Sequence, residues 1–227
     1  MNIKYDYYLK TYKDHIRDSF SGFWRKGLLN KLLGAIDLWN KNECEKAINT
    51  LLSLRKSCKT VNEHCAVLMF TALCYDDMRY FAPAIETYKE LLALDPTRSS
   101  AHSNLGLLYR QMGEYGQAVQ AFQAAIESDP QNPYARNNLA LTYYRMGEHK
   151  LAIENAEIAL SLKGNYYQAA NCLCLCHCIL KNMEECRKYY KIAVANGGDP
   201  KKLKEEIEKI KDEKDLFAGI DDAWWDL

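Results

Sequence analysis

Along residues 99–132 the apolar positions follow a helical period, stop, and then resume it. Leu105, Leu108, Tyr109 and Met112 recur at helical spacing. Gly113 interrupts the stripe, as a residue that ends a helix does. A second stripe follows at Tyr115, Ala118, Phe122, Ala125 and Ile126. Asp129-Pro130 closes it, because the residue before a proline avoids the helical region. The pattern predicts two helices joined by a tight turn.

The same pattern returns every 34 residues. Tyr75, Tyr109, Tyr143 and His177 fall at that interval, as do Ala72, Gly106, Ala140 and Cys174, and again Ala84, Ala118, Ala152 and Cys186. Pro96 and Pro130 repeat it once more. A fixed period of this length means one helical hairpin copied and stacked, since a single hairpin cannot bury both of its faces. The small residues mark where the two helices of a hairpin cross closely, and Tyr109 and Phe122 fill the wedge between successive hairpins.

Asn104, Leu105, Gly106, Tyr109, Gly113, Tyr115, Ala118, Phe122, Ala125 and Pro130 together resemble the tetratricopeptide repeat signature. The match is strongest for 99–132 and good for 65–98 and 133–166. It stays in register through 167–200, where Cys174, His177 and Cys186 replace the usual small and aromatic residues. It is looser over 28–61, through Ala35, Leu38, Ala47, Leu51 and Leu54. The resemblance implies an all-α fold, a right-handed superhelical α-solenoid of stacked antiparallel helix pairs. The array is expected over 28–200, with an aromatic amphipathic helix over 1–27, a capping helix over 201–214 and an acidic-aromatic tail over 215–227. Asp199-Pro200 reads as the cap and first position of the capping helix, whose Leu203, Ile207 and Ile210 share one side.

In this family the first helices of successive repeats line a concave groove. By register, the resemblance places Met69 and Phe70 there, with Leu73, Asp76 and Asp77. The next repeat adds Asn104, Leu107 and Arg110, and the one after it Asn137, Asn138, Leu141, Tyr144 and Arg145. Asn171 and Cys172 follow. Asn104 and Asn138 hold the same repeat position, and an amide side chain can both donate to and accept from a peptide backbone. Arg110 and Arg145 are candidate partners for a carboxylate. The subtype that clamps the C-termini of heat-shock chaperones requires Lys, Lys and Arg where this chain has Met69, Tyr134 and Asn138, so the chain departs from it.

Composition narrows the function further. Thirty basic and thirty acidic residues balance, so no global field recruits nucleic acid or an anionic membrane. Residues 1–64 are net +5 and residues 201–227 net −3, too little to indicate DNA binding without a recognisable reading head. No apolar run is long enough to span a bilayer, and the charged stretch from Met1 to Asp18, lacking an apolar core, is not expected to act as a secretory leader. Nine cysteines, four of them alternating from Cys172 to Cys178, do not form a secreted disulfide framework, and a cytoplasmic location is expected. Those cysteines, Cys186 and His177 are read as core residues rather than a metal site, with Cys174 and Cys186 facing each other closely. No phosphate loop, zinc-protease pair or nucleophile elbow is present, so no enzyme, cofactor or metal is expected.

The expected function is a non-catalytic scaffold that holds a protein or peptide partner in its groove. The alternative is an autoregulated or self-associating protein controlled by its tail. There Trp224 and Trp225 are set among four aspartates, and exposed tryptophans are characteristic of interfaces. Three roles stay open for the tail: free until a partner arrives, folded onto its own array, or lodged in the groove of another copy.

Overall fold

The computed structural model describes residues 26–214, with side chains from 27 to 210. The expected amino-terminal helix before residue 26, and the tail with Trp224 and Trp225, lie outside the described residues. The chain divides into two compact units, Met1–Thr97 and Arg98–Leu227. Among the described residues every element is helical.

The first unit contains α1 (Lys26–Asn40), α2 (Cys44–Arg55), α3 (Val61–Asp77) and α4 (Phe81–Leu94). Each helix packs on the next, and α1 also meets α3. Leu32, Ile36 and Trp39 of α1 are buried against Ala47, Leu51 and Leu54 of α2 and Val67, Phe70 and Cys74 of α3. The loosely matching stretch 28–61 is therefore a helix pair, with Ala35 and Ala47 fully enclosed. A capping box starts α3: the Thr60 side chain accepts from the Glu63 amide, and the Glu63 carboxylate accepts from the Thr60 amide.

The second unit contains α5 (Ser99–Gln111), α6 (Tyr115–Ser128), α7 (Pro133–Met146), α8 (His149–Leu162), α9 (Tyr167–Ile179), α10 (Met183–Ala195) and α11 (Pro200–Lys214). Consecutive helices pack in antiparallel pairs, and the first helices of the pairs also meet in a row: α5 on α7, α7 on α9, α9 on α11. This is an α-solenoid. Asn132 caps α7 by accepting from the amides of Tyr134 and Ala135, with Pro133 at the first helical position. Asp199 does the same for α11, accepting from the amides of Lys201 and Lys202.

The 34-residue period is written into the backbone as well. Within each hairpin the chain turns through a left-handed residue at Arg79, Gly113, Gly147 and Lys181, with φ of 62°, 81°, 80° and 62°. The following amide donates back to the carbonyl of the repeat aromatic: Tyr80 to Tyr75, Glu114 to Tyr109, Glu148 to Tyr143 and Asn182 to His177, at 2.8–2.9 Å. Glycine takes this conformation freely, whereas arginine and lysine carry a Cβ penalty of about 1–2 kcal/mol. The turn closes at all four places, so the stacked helices on either side impose it.

The small-residue register does what its spacing implies. Ala72, Ala84, Gly106, Ala118, Ala140, Ala152, Cys174 and Cys186 are all buried. A Cβ built on Gly106 would lie 2.8 Å from Phe122 Cε1, closer than real contacts allow, so glycine there makes room for the ring. In the last hairpin the Cys174 and Cys186 sulfurs sit 3.6 Å apart, both fully buried. The alternating cysteines occupy the α9 core, and no group of three or more His, Cys, Asp or Glu among the described residues is arranged to hold a metal ion.

His177 replaces the repeat tyrosine with a consequence for acid stability. Its ring stacks on Tyr189 at 5.5 Å, and neither ring nitrogen has a partner. Burial pushes its pKa below the ordinary histidine value of 6.5, and Lys188 acts in the same sense, while Glu185 and Glu157 oppose both. The unfolded chain therefore takes up the proton first as pH falls. The stabilising contribution is complete above pH 6.5, declines below it, and is exhausted beneath the lower folded value. The urea midpoint is expected to fall between pH 7.5 and pH 5.5, and His177→Phe to reduce that fall. An unchanged pH dependence in the variant would show that His177 is not responsible.

Candidate functional site

The first helices of the second unit present mixed polar and apolar side chains on one face because their other faces are spent on the hairpin core. Leu105 and Leu108 of α5 turn inward, leaving Asn104, Leu107 and Arg110 half-buried. On α7, Leu139 and Ala140 are buried while Asn138, Leu141 and Tyr144 are half-buried and Arg145 is exposed.

Asn138 and Arg110 are tied together. The Arg110 guanidinium donates to the Asn138 backbone carbonyl at 3.1 Å and to its side-chain oxygen at 3.4 Å. It also lies 5.7 Å above the Phe122 ring. Burial, and then the proximity of Arg145, push Arg110 below the usual arginine value. No described carboxylate forms an ion pair with Arg110 or Arg145. Two like charges on adjacent helices without an acidic partner leave a surface that favours an anion.

Beyond Arg145 the face opens into a cavity of about 530 Å³. Leu141, Tyr144 and Arg145 of α7 form one wall, and Gln168, Asn171, Cys172 and Leu175 of α9 form the floor. Glu206, Lys209 and Ile210 of α11 form the far wall. The Asn171 side-chain oxygen is enclosed without a hydrogen-bond partner, facing Gly198 at the start of the turn into α11. The Tyr144 hydroxyl is pushed up to about 12, mainly by burial and also by Cys176, Glu206 and Cys172. Cys172 is raised well above the usual thiol value by its hydrogen bond with Cys176 and by burial, which keeps it a neutral thiol.

Four of the residues assigned to the groove from the sequence, Met69, Phe70, Asn137 and Cys172, are enclosed instead, Cys172 being 1% exposed. Met69 and Phe70 are each 2% exposed, and Phe70 packs edge-on against Trp39 at 5.9 Å within the α1–α3 core. Asn137 is 3% exposed, its side-chain oxygen buried without a partner. They share helix faces with the half-buried residues, but the neighbouring packing closes over them. The sequence reading also missed Glu206, Lys209 and Ile210, because α11 was expected only to cap the stack. The signal was present in its polar face, where Glu206 and Lys209 are three apart and on the same side as Ile210.

Models of the tetratricopeptide repeat match residues 67–98 and 133–166, a second such model matches 87–120, and a TPR repeat model matches 106–147. The chain is a tetratricopeptide repeat protein. Among solved structures, the crystal structure of MamA aligns with a TM-score of 0.65 at 28% identity, covering 75% of this chain and 96% of that one. A tetratricopeptide repeat protein from Parabacteroides merdae aligns at 0.71 with 14% identity, over 82% of this chain and 73% of the other. PilW, a widely conserved type IV pilus biogenesis factor, aligns at 0.69 with 16% identity, over 85% and 90%. At such identities the likeness is one of fold. No curated protein matches the chain. Within this tetratricopeptide repeat protein, the matched residues include α5 and α7, and the cavity continues past them onto α9 and α11.

Proposed function

We propose that this protein is a non-catalytic interaction scaffold that holds an extended segment of a partner protein along α5, α7 and α9. The proposal includes a cytoplasmic location, consistent with the spacing of the cysteines. The observation that carries it is the run of half-buried and exposed polar and apolar side chains from Asn104 and Leu107 to Leu141 and Arg145, leading to the cavity between α7, α9 and α11. Asn104 offers an amide to a peptide backbone, Leu107 and Leu141 offer apolar contact, and the two arginines offer charge-assisted hydrogen bonds. Asn138 acts partly by bracing Arg110.

A photocrosslinking side chain at Leu107, in the full chain in native extract, tests this. It should capture one defined partner segment, whereas the same group at exposed Ile158 on α8 should not. Replacing Asn104 and Arg110 with alanine should lower the yield roughly tenfold, since each lost hydrogen bond is worth about 0.5–1.5 kcal/mol. Equal capture at positions 107 and 158 would sink the proposal.

A further inference from the structure

We infer that the cavity between α7, α9 and α11 is the docking site of the chain's own C-terminal segment, residues 215–227, bound in cis. The inference rests on the groove reading above and names one occupant for its far end.

Position is the first argument. Ile210 lines the cavity, and α11 ends at Lys214. Four residues of helix advance about 6 Å. The chain therefore leaves α11 within about one turn of the cavity wall. The thirteen residues that remain reach at most about 45 Å when extended, enough to cross the cavity and pass Arg145.

Chemistry is the second. The segment carries Asp215, Asp221, Asp222 and Asp226 and no lysine or arginine, with Phe217, Trp224 and Trp225 among them. The cavity offers the complement. Arg145 and Lys209 stand on opposite walls without an ion-pair partner among the described residues, and Leu141, Leu175 and Ile210 supply apolar surface. Glu206 is the acid of this lining, so an aspartate is directed toward the Arg145 and Lys209 sides. At about 530 Å³ the cavity lies within the ~300–1,000 Å³ that holds a small ligand, which is room for an indole.

Tethering decides for cis over trans. A short tether gives an effective concentration on the order of 1 mM. An intrinsic dissociation constant of about 100 µM would then leave the segment docked roughly nine-tenths of the time, while copies at micromolar concentration would rarely exchange segments. A partner entering the groove must displace it.

The test places p-benzoylphenylalanine at Gln168, an exposed lining residue, in the full chain. Irradiation of purified protein should give a crosslink to residues 215–227 within one chain, with a yield independent of dilution. Arg145→Glu should cut that yield about tenfold, as should Asp221→Lys with Asp222→Lys, with circular dichroism unchanged. In mixed isotope-labelled chains, crosslinks only between chains would overturn docking in cis. No crosslink to 215–227, or a yield indifferent to both charge reversals, would overturn the inference. If Gln168 instead captured a foreign segment in extract and never the tail, the inference would fail while the groove proposal stood. If Leu107 captured nothing either, both would fall.

Discussion

Phe122→Ala is expected to lower the stability of the second unit by about 3–5 kcal/mol, a large share of the roughly 5–15 kcal/mol typical of a folded domain. The ring is fully buried, and Ala118, Ala125 and Ile126 of α6 surround it together with Ala135 and Leu139 of α7. It fills the space that Gly106 leaves open and supports Arg110 from below. Removing it opens a cavity that two small residues cannot close.

The next repeat shows how such a site is otherwise packed. At the same register it carries Ala140 and Ala156, both buried, in place of Gly106 and Phe122. Adding Gly106→Ala to Phe122→Ala should therefore recover about 1 kcal/mol, from restored contact and the better helix propensity of alanine. In the wild-type background Gly106→Ala should instead destabilise, because its Cβ meets the ring. Urea unfolding of the three variants gives the cycle, and native-state hydrogen exchange should place the loss in α5–α7. A change below about 1 kcal/mol for Phe122→Ala would mean that the solenoid repacks around the missing ring.

Trp39→Ala should destabilise the first unit by a similar amount, about 3–5 kcal/mol. Trp39 is 7% exposed, meets Phe70 edge-to-face at 66°, and donates from its indole nitrogen to Asp77 Oδ2 at 2.5 Å. That hydrogen bond joins the last turn of α1 to the last turn of α3, and its acceptor is charged. Trp39→Phe keeps most of the packing and removes the donor, so it should cost about 1.5–3 kcal/mol. Urea denaturation followed by circular dichroism separates the two. If Trp39→Phe proved as damaging as Trp39→Ala, shape rather than the hydrogen bond would dominate.

Helical period explains why some of this was legible beforehand. The 34-residue echo identifies the hairpins, the close crossings at Gly106 and Ala118, and the approach of Cys174 to Cys186, because these are relations within one repeat. The Asp199-Pro200 start of α11 was legible for the same reason, since a cap is local chemistry. Trp39 carried no such signal. It lies in the loosest repeat, and its partners Phe70 and Asp77 are 31 and 38 residues away.

Depth and partnership belong to the tertiary structure. Register placed Met69, Phe70, Asn137 and Asn138 on equivalent faces, yet Asn138 alone of these is half-exposed and braces Arg110. Whether a residue on a helix face meets a partner or another helix depends on how closely the next element packs. Burial takes free energy from every neighbour at once, and periodicity records only spacing along one chain. The sequence by itself determined the hairpins, their stacking and the small-residue crossings. Only the three-dimensional packing decided where the chain divides at Thr97, which of the residues assigned to a groove from the sequence remain accessible, and that α11 walls a cavity as well as ending the stack.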